Sequence, residues 1–438
     1  MKSAFDILEE RGLVENTTDP DAVRKLLAHP PVSFYVGFDP TADSLHVGHL
    51  LPIITMAHLQ RAGHRPIAVV GGGTGMVGDP SGKTELREIL SVRQIRQNLE
   101  AQKKQLQRFL DFDSDHTNVA LMINNADWLL SLKYIDFLRE IGVHFTVNRM
   151  LAAECFKQRW EKGLTFIEFN YMLLQAYDFL ELYRREKCRL QIGGGDQWGN
   201  ILAGADLIRR IEGGEAHGLV VPLLLTASGK KFGKTEKGAV WLAAERTSPY
   251  DFYQYWRNVD DKDVEKCLRM LTFIPMDEVR ELASVEPGSA LNEAKKRLAF
   301  ELTKLVHGQA AAETAGQAAE ELFVAGREVR ESVDGVPAER ALETLETDRQ
   351  MSTTEEVMAA GMPIIDALVG TKLASTRSEA RRLIEQGGAY INDARVDSIE
   401  QVLTLNDAQR GRILLRSGKK KHGLIVVRSE TEKELNHE

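Results

Sequence analysis

Short apolar runs, each ending at a glycine or acidic loop and separated by stretches of helical periodicity, constrain this chain more than any other feature. Residues 33 to 38, SFYVGF, form an aromatic and β-branched run stopped by Asp39-Pro40, which predicts a buried strand ending in a loop. From Leu50 to Ala62 apolar residues recur at helical spacing up to Gly63, and RPIAVVGGG then reads as a second buried strand entering a glycine loop. CRLQIGGGD (188 to 196) repeats the pattern of strand, glycines and acid, and GLVVPLLLT (218 to 226) is a further strand candidate. Strands alternating with helices predict an α/β chain with a parallel sheet, whose ligand lies at the carboxyl ends of the strands.

A chain of 438 residues has room for two or three domains at about 150 residues each. Residues 248 to 325 read as mainly helical, with aromatic anchors in SPYDFYQYW. The formal charge of −8 speaks at first against a nucleic-acid partner, since phosphate binding needs clustered Lys and Arg. Its distribution reverses that impression. From Glu301 to Gly361 there are 13 acids against 5 Lys and Arg, whereas Met362 to Val427 holds 11 Lys and Arg against 7 acids. An acidic linker, 326 to 361, is therefore expected to precede a basic C-terminal unit. No apolar run approaches the roughly 20 residues of a membrane span, and MKSAFDILEERG reads as an amphipathic helix rather than a signal peptide. Cys155, Cys188 and Cys267 lie too far apart for a disulfide framework or a zinc spacing, and a cytoplasmic location is expected.

Two glycine signatures are discounted. Gly73, Gly75 and Gly78 fit GxGxxG, but Asp79-Pro80 would break the helix that a dinucleotide fingerprint requires. VGDPSGKT (77 to 84) lacks the first glycine of a P-loop. HVGH (46 to 49) carries more weight. His46 and His49 at i and i+3 of a helix start share one face near the positive end of the helix dipole, Gly48 leaves room for a ligand, and Asp39 to Thr41 add polar groups. KFGKT (231 to 235), flanked by Gly229 and Gly238, sets Lys231, Lys234 and Thr235 on a loop suited to a developing pyrophosphate charge. Singly, each is an ordinary surface pattern. Together in an α/β chain they form a phosphate-handling pair.

HVGH resembles the HIGH signature, and KFGKT the KMSKS signature, of class I aminoacyl-tRNA synthetases. The likeness to the bacterial tyrosyl-tRNA synthetases runs further, through YVGFDPTADSLHVGHL, GHRPIAVVGGGTGMVGDPSGK, YMLLQAYDFL and LQIGGGDQWGN, from residue 34 to about 308. This resemblance implies a helical arm over 1–30, a Rossmann-like catalytic domain over 31–226 with a dimer-forming insertion near 125–165, and a KFGKT loop with a helical domain over 227–325. The linker over 326–361, an S4-like RNA-binding domain over 362–428 and a tail over 429–438 complete it.

Periodicity places Tyr171, Gln175 and Asp178 on one helix face. The resemblance implies that Asp178 and Tyr35 meet the phenolic oxygen of tyrosine, that Tyr171, Gln175 and Asp79 hold its ammonium, and that Gly37, Gln191 and Gln197 complete the pocket. It further implies that Asp196 and Gly194 meet the ribose of ATP, while Asp39, Thr41, His46, Gly48, His49, Lys83, Arg87, Lys231, Lys234 and Thr235 lie around the phosphates. ATP is then a substrate, magnesium accompanies its phosphates without a dedicated protein metal site, and the partners are L-tyrosine, tRNA(Tyr) and a second copy of the chain, with no membrane.

At the C-terminus, PIIDALV (363 to 369) and SEARRLI (378 to 384) read as two short helices, and a hairpin turns at Asn392-Asp393. This pattern resembles an S4-type RNA-binding domain, in which Arg377, Arg381, Arg382, Lys419, Lys420 and Lys421 would contact tRNA phosphates. The alternative is a noncatalytic RNA-binding protein retaining a synthetase fold, which intact HVGH, KFGKT and Asp178 argue against.

Overall fold

The computed structural model describes residues 2–80, 91–153, 156, 163–235, 238–284, 289–331, 349–392, 394–408, 411–418 and 421–428. The chain forms two compact units, Met1–Gln309 and Ala310–Glu438. The first is built on a six-stranded sheet of β1 (Asn16–Thr17), β2 (Ser33–Phe38), β3 (Arg65–Val70), β4 (Leu121–Asn124), β5 (Cys188–Gly194) and β6 (His217–Val221), in spatial order β1-β6-β5-β2-β3-β4. Strands β2 to β6 are parallel, and β1 pairs antiparallel with β6. The chain runs outward from β2 through β3 to β4, then returns to lay β5 and β6 on the other side. The topological switch therefore falls between β2 and β5, where a crevice opens at the strand carboxyl ends.

Residues 1–30, expected as a helical arm, do supply the helices Ala4–Glu10 and Pro20–Leu26, the first started by a Ser3–Asp6 capping box and the second by Asp19 ahead of a proline. They also supply the edge strand β1. β6 stops at Val221, short of the expected Thr226, because Pro222 has no N–H for the ladder. The Leu50–Arg61 helix is buried nearly all round, from Leu50 through Gln60 apart from Pro52, as an apolar central helix must be. Short strands β7 (Lys234–Thr235) and β8 (Gly238–Ala239) pair antiparallel. The helices Pro249–Arg257, Val264–Leu271, Met276–Ala283 and Ser289–His307 follow, with Trp256 fully buried against Phe252 and Phe232.

In the second unit, the helix Gln309–Glu331 continues past residue 326. Beyond the undescribed 332–348, the residues 350–361 read as linker are instead β9 (Gln350–Thr354) and the helix Glu355–Ala360. β9 adds in parallel to β15 (Lys421–Arg428), and Met358 is fully buried among Ile364, Leu368, Ile384 and Leu415. The acidic residues of this stretch suggested a linker, and within its two elements only Thr353 and Met358 are buried. β10 (Met362–Pro363) pairs with β13 (Val402–Leu403), while β11 (Ala389–Ile391), β12 (Ala394–Arg395) and β14 (Arg412–Ser417) complete a five-stranded sheet, β12-β11-β14-β15-β9. The β11–β12 hairpin turns at Asn392, whose φ of 45° suits asparagine. Among the described residues no helix is long and apolar enough to cross a membrane.

Candidate active site

The Phe166–Glu186 helix starts at a Thr165–Glu168 capping box and carries Asp178 on its buried face. Asp178 is 3% exposed, and it accepts from Trp128 Nε1 at 2.7 Å and from Asn125 Nδ2 at 2.8 Å. Burial pushes its carboxyl up to about 7; the two donors oppose that rise and Glu181 adds to it. Tyr35 on β2 is 2% exposed, its ring 5.2 Å from that of Phe179. Burial, then the nearby Asp178, holds its phenol well above the usual range. In the β2–β5 register Tyr35 lies beside Gln191. The Tyr35 hydroxyl and Gln191 Oε1 are both buried without a hydrogen-bond partner among the described residues. Buried polar atoms of this kind raise the free energy until something bonds them, so these two are left to bond a polar group of a ligand.

Asn125 is fully buried just beyond β4. Besides Asp178 its Nδ2 donates to Thr74 Oγ1 at 2.9 Å, and its Oδ1 accepts from the Gly73 N–H at 2.8 Å. It thus fixes the glycine loop after β3, which turns through a short 3₁₀ segment, Thr74–Met76, instead of the helix of a dinucleotide fingerprint. The sequence reading missed Asn125 and Trp128, although NNADW directly follows an apolar strand and so occupies the ligand-facing end of the sheet.

A second polar chain adjoins the first. Gln197 donates to Asp79 Oδ2 at 2.8 Å, Gln175 donates to Gln197 Oε1 at 3.1 Å, and Asn200 donates to Gln175 Oε1 at 2.9 Å and Gln197 Oε1 at 3.2 Å. The structure therefore brings Asp79, Gln175 and Gln197 together from three elements, and Tyr171 is buried one turn before Gln175. Asn200 was also missed; its signal is its place three residues after Gln197, on the same helix face. Gly37 is exposed, with open space where a side chain would begin. Gly194 closes β5 and leads through a 3₁₀ turn, Gly195–Gln197, to the Trp198–Glu212 helix, so Asp196 is exposed at a helix start. A cleft of about 770 Å³ opens beside Asp196 and is lined by Arg149, Met172 and Arg210.

At the carboxyl end of β2, the Thr41 N–H donates to the Asp39 carbonyl at 2.8 Å. His46 and His49 stand on a 3₁₀ turn, Val47–His49, ahead of the α-helix that begins at Leu50, and their rings stack at 4.0 Å. His46 Nδ1 accepts from the Gly48 N–H at 3.0 Å, and His49 Nδ1 from the His46 N–H at 3.1 Å. With Nδ1 of each ring accepting, Nε2 is the nitrogen left to donate to an anion.

KFGKT is stitched to this turn. The Val47 N–H donates to the Val240 carbonyl at 2.9 Å, and the Leu242 N–H to the Leu45 carbonyl at 2.8 Å. Gly233, at a φ of 77°, packs where a Cβ would lie 2.8 Å from Val47 Cβ, so glycine is required on two counts. Its N–H donates to the Tyr255 hydroxyl at 2.8 Å. Lys231 is exposed, and the Lys234 and Thr235 backbone forms β7. Lys83, Arg87, Lys419 and Lys420 lie outside the described residues. In the second unit Arg377, Arg381, Arg382 and Lys421 are exposed, with Arg377 paired to Asp366.

Residues 27–324 match the family model of tRNA synthetases class I (W and Y), and residues 344–425 match that of the tyrosine–tRNA ligase SYY-like C-terminal domain. The chain is 53% identical over 428 residues to the tyrosine–tRNA ligase of Clostridium kluyveri, covering 98% of this chain and 100% of that one. It is 54% identical over 427 residues to the tyrosine–tRNA ligase of Clostridium botulinum (strain Loch Maree), with the same coverage. Among solved structures, a C-terminally truncated Aspergillus nidulans mitochondrial tyrosyl-tRNA synthetase superposes with a TM-score of 0.66 at 30% identity, over 74% of this chain and 95% of that one.

Proposed function

The chain belongs to the class I tRNA synthetases of the tyrosine and tryptophan type, and we propose that it acts as a tyrosine–tRNA ligase that consumes ATP. The observation that carries the choice of tyrosine is the buried Asp178 carboxyl near an unpartnered Tyr35 hydroxyl. A phenol donates to that carboxylate and bonds that hydroxyl. A phenylalanine ring leaves the Tyr35 hydroxyl unbonded and gives the buried carboxylate no donor beyond Asn125 and Trp128, which costs more than shape mismatch does. Asp79, Tyr171 and Gln175 hold the substrate ammonium; Gln191 and Gln197 bond its remaining polar atoms, and Gly37 keeps the space by the carboxyl end of β2 open.

In the first step the tyrosine carboxylate attacks the α-phosphorus of ATP and pyrophosphate leaves. No covalent enzyme intermediate is needed, so the protein's part is positioning and charge neutralisation. Asp196 and Gly194 take the ribose. His46 and His49 donate from Nε2, and Asp39, Thr41, Gly48, Lys83, Arg87, Lys231, Lys234 and Thr235 surround the phosphates. Magnesium enters with ATP, held by phosphate oxygens and water. In the second step a terminal ribose hydroxyl of tRNA(Tyr) attacks the mixed anhydride and AMP leaves. Arg377, Arg381, Arg382 and the lysines at 419 to 421 hold tRNA phosphates.

The exposed apolar side chains Leu130, Tyr134, Ile135, Val143 and Val147, each more than half accessible and all within eighteen residues of chain, support a homodimer formed through residues 125–165, since exposed large apolar side chains gathered in one segment suit an interface. Sedimentation at micromolar concentration tests it, and a monomer refutes it. The location is cytoplasmic, where charged tRNA is used. Pyrophosphate exchange into ATP with each standard amino acid in turn tests the reaction: exchange with tyrosine in the absence of tRNA supports it, and its absence from folded enzyme refutes it.

A further inference from the structure

Two halves of the phosphate site come from chain segments almost 190 residues apart, HVGH after β2 and KFGKT after β6. Backbone bonds between 45–47 and 240–242 join the stretches beside them, and one side chain, that of Ser44, adds a link from just before HVGH to Ala243. Ser44 is 2% exposed. Its hydroxyl donates to the Leu45 carbonyl at 2.7 Å, accepts from Gln105 Nε2 at 3.2 Å, and accepts from the Ala243 N–H at 3.0 Å. One donor and two acceptor sites are thereby all used.

Behind Ser44 stands the Val92–Leu106 helix, started by a Ser91–Gln94 capping box. Asn98, Gln102 and Gln105, at i, i+4 and i+7, face the loop as three amides. Asn98 donates to the Pro40 carbonyl at 2.8 Å, Gln102 to the Asp39 and Ala42 carbonyls at 3.3 and 3.1 Å, and Gln105 accepts from the Leu45 N–H at 2.8 Å. This loop holds Thr41 and delivers His46. On its other side Arg246 pairs with Asp43 and lies over the Trp241 ring at 4.5 Å, and Trp241 meets the His46 ring edge-on at 5.9 Å.

We infer that Ser44, held by Gln105, is a positioning residue that sets the register between the HVGH turn and the root of the KFGKT loop. The Val240 N–H donates to the Gly233 carbonyl at 2.8 Å and the 234–235 backbone pairs with 238–239, so a small slip at Ala243 is carried into the KFGKT loop and shifts it relative to His46 and His49. Misplacement of about 1 Å is enough to cost 100-fold in rate. Neither Ser44 nor Gln105 touches the Asp178 pocket, so binding of tyrosine is left out of their effect.

The inference rests on the tyrosine-activation reading. If the parent enzyme gives no tyrosine-dependent burst of adenylate, that reading fails before Ser44 is tested. With the burst present, Ser44→Ala is expected to slow it at least tenfold while the tyrosine Kd stays within twofold. The same substitution in the Lys231→Ala/Lys234→Ala enzyme should change the rate less than threefold, because the groups being positioned are gone. An equal loss in both backgrounds, an unchanged burst, or tyrosine affinity falling in step with the rate overturns the inference. Gln105→Met, which removes both amide contacts and keeps the hydroxyl, is read by the same criteria if Ser44→Ala does not fold.

Discussion

Asn125 Nδ2 donates to Asp178 Oδ2 at 2.8 Å while Asn125 Oδ1 accepts from the Gly73 N–H, so one fully buried amide joins the floor of the amino-acid pocket to the loop after β3. Asn125→Leu removes these two bonds and the one to Thr74 Oγ1, leaving the buried Gly73 N–H unpaired and taking one donor from the carboxylate. We expect a loss of about 1 to 3 kcal/mol in unfolding free energy, with tyrosine affinity weakened more than ATP affinity. Urea denaturation beside equilibrium binding measures both, and unchanged tyrosine affinity would contradict the link.

The Asp178 carboxyl, raised by burial to about 7 from an ordinary 3.8, gives two pH effects of opposite sign. Between about pH 4 and 7 the folded state holds this proton more tightly than the unfolded chain, so its contribution to stability falls as pH rises through that window. Tyrosine binding, which draws on the ionised carboxylate, should strengthen over the same rise and level off above about pH 8. Binding isotherms from pH 5.5 to 8.5 test this, with a phenylalanine control expected to show no strengthening over that range. A flat tyrosine curve would remove Asp178 as the phenol's acceptor.

Tyr35→Phe deletes a buried hydroxyl with no partner among the described residues. The free protein should therefore be as stable as the parent or slightly more so, yet its preference for tyrosine over phenylalanine should shrink. Melting curves and exchange assays with both amino acids separate the two effects. Undiminished preference in folded protein takes Tyr35 out of the contact set.

His46→Ala, His49→Ala, Lys231→Ala and Lys234→Ala should each slow adenylate formation by about 2 to 4 kcal/mol in activation free energy, by analogy with loss of an oxyanion donor, while tyrosine affinity stays nearly constant. His46→Ala should also perturb His49, since their rings stack and the His46 N–H bonds His49 Nδ1. The double histidine variant is then expected to lose less than the sum of the singles. Four unchanged burst rates would refute the assigned roles.

Much of the catalytic unit is legible in the sequence because its strands are unbroken apolar runs and its loops end in glycine, features that local pattern can carry. Asp178, Gln175 and Tyr171 stand out through helical spacing. Asn125, Trp128 and Asn200 do not, because their roles depend on which strand ends lie side by side, and that follows from the sheet order. Ser44 is a single small residue in a polar loop, and only the approach of Ala243 from almost 200 residues away reveals it. The stretch 350–361 misled for another reason: its charge suggested a linker, while Met351, Val357 and Met358 lay too sparsely to announce a strand and a helix.

The boundary of the second unit matters for separating activation from transfer. A cut at Gly361, which the charge pattern suggests, would strand β9, the parallel partner of β15, and remove the buried Met358 from its core. A cut before Arg349 keeps β9 and Met358 with the sheet they pack in, and leaves of the second unit only the stretch that holds the Gln309–Glu331 helix. Ser44, Asp178 and every other residue assigned to tyrosine and ATP precede position 240, so the 1–348 protein should form tyrosyl-adenylate at a rate close to the parent's. Transfer to tRNA should fall strongly. Phosphate contacts bind through counterion release, so loss of several should also flatten the salt dependence of tRNA affinity. In the full chain Arg377→Ala/Arg381→Ala/Arg382→Ala should reproduce part of that change, with Arg381 and Arg382 contributing most because Arg377 is already paired with Asp366. Filter binding across a salt series, beside pyrophosphate exchange on the same preparations, reads both quantities. If the 1–348 protein keeps its tRNA affinity and salt slope while losing adenylate formation, the basic unit has been given the wrong task.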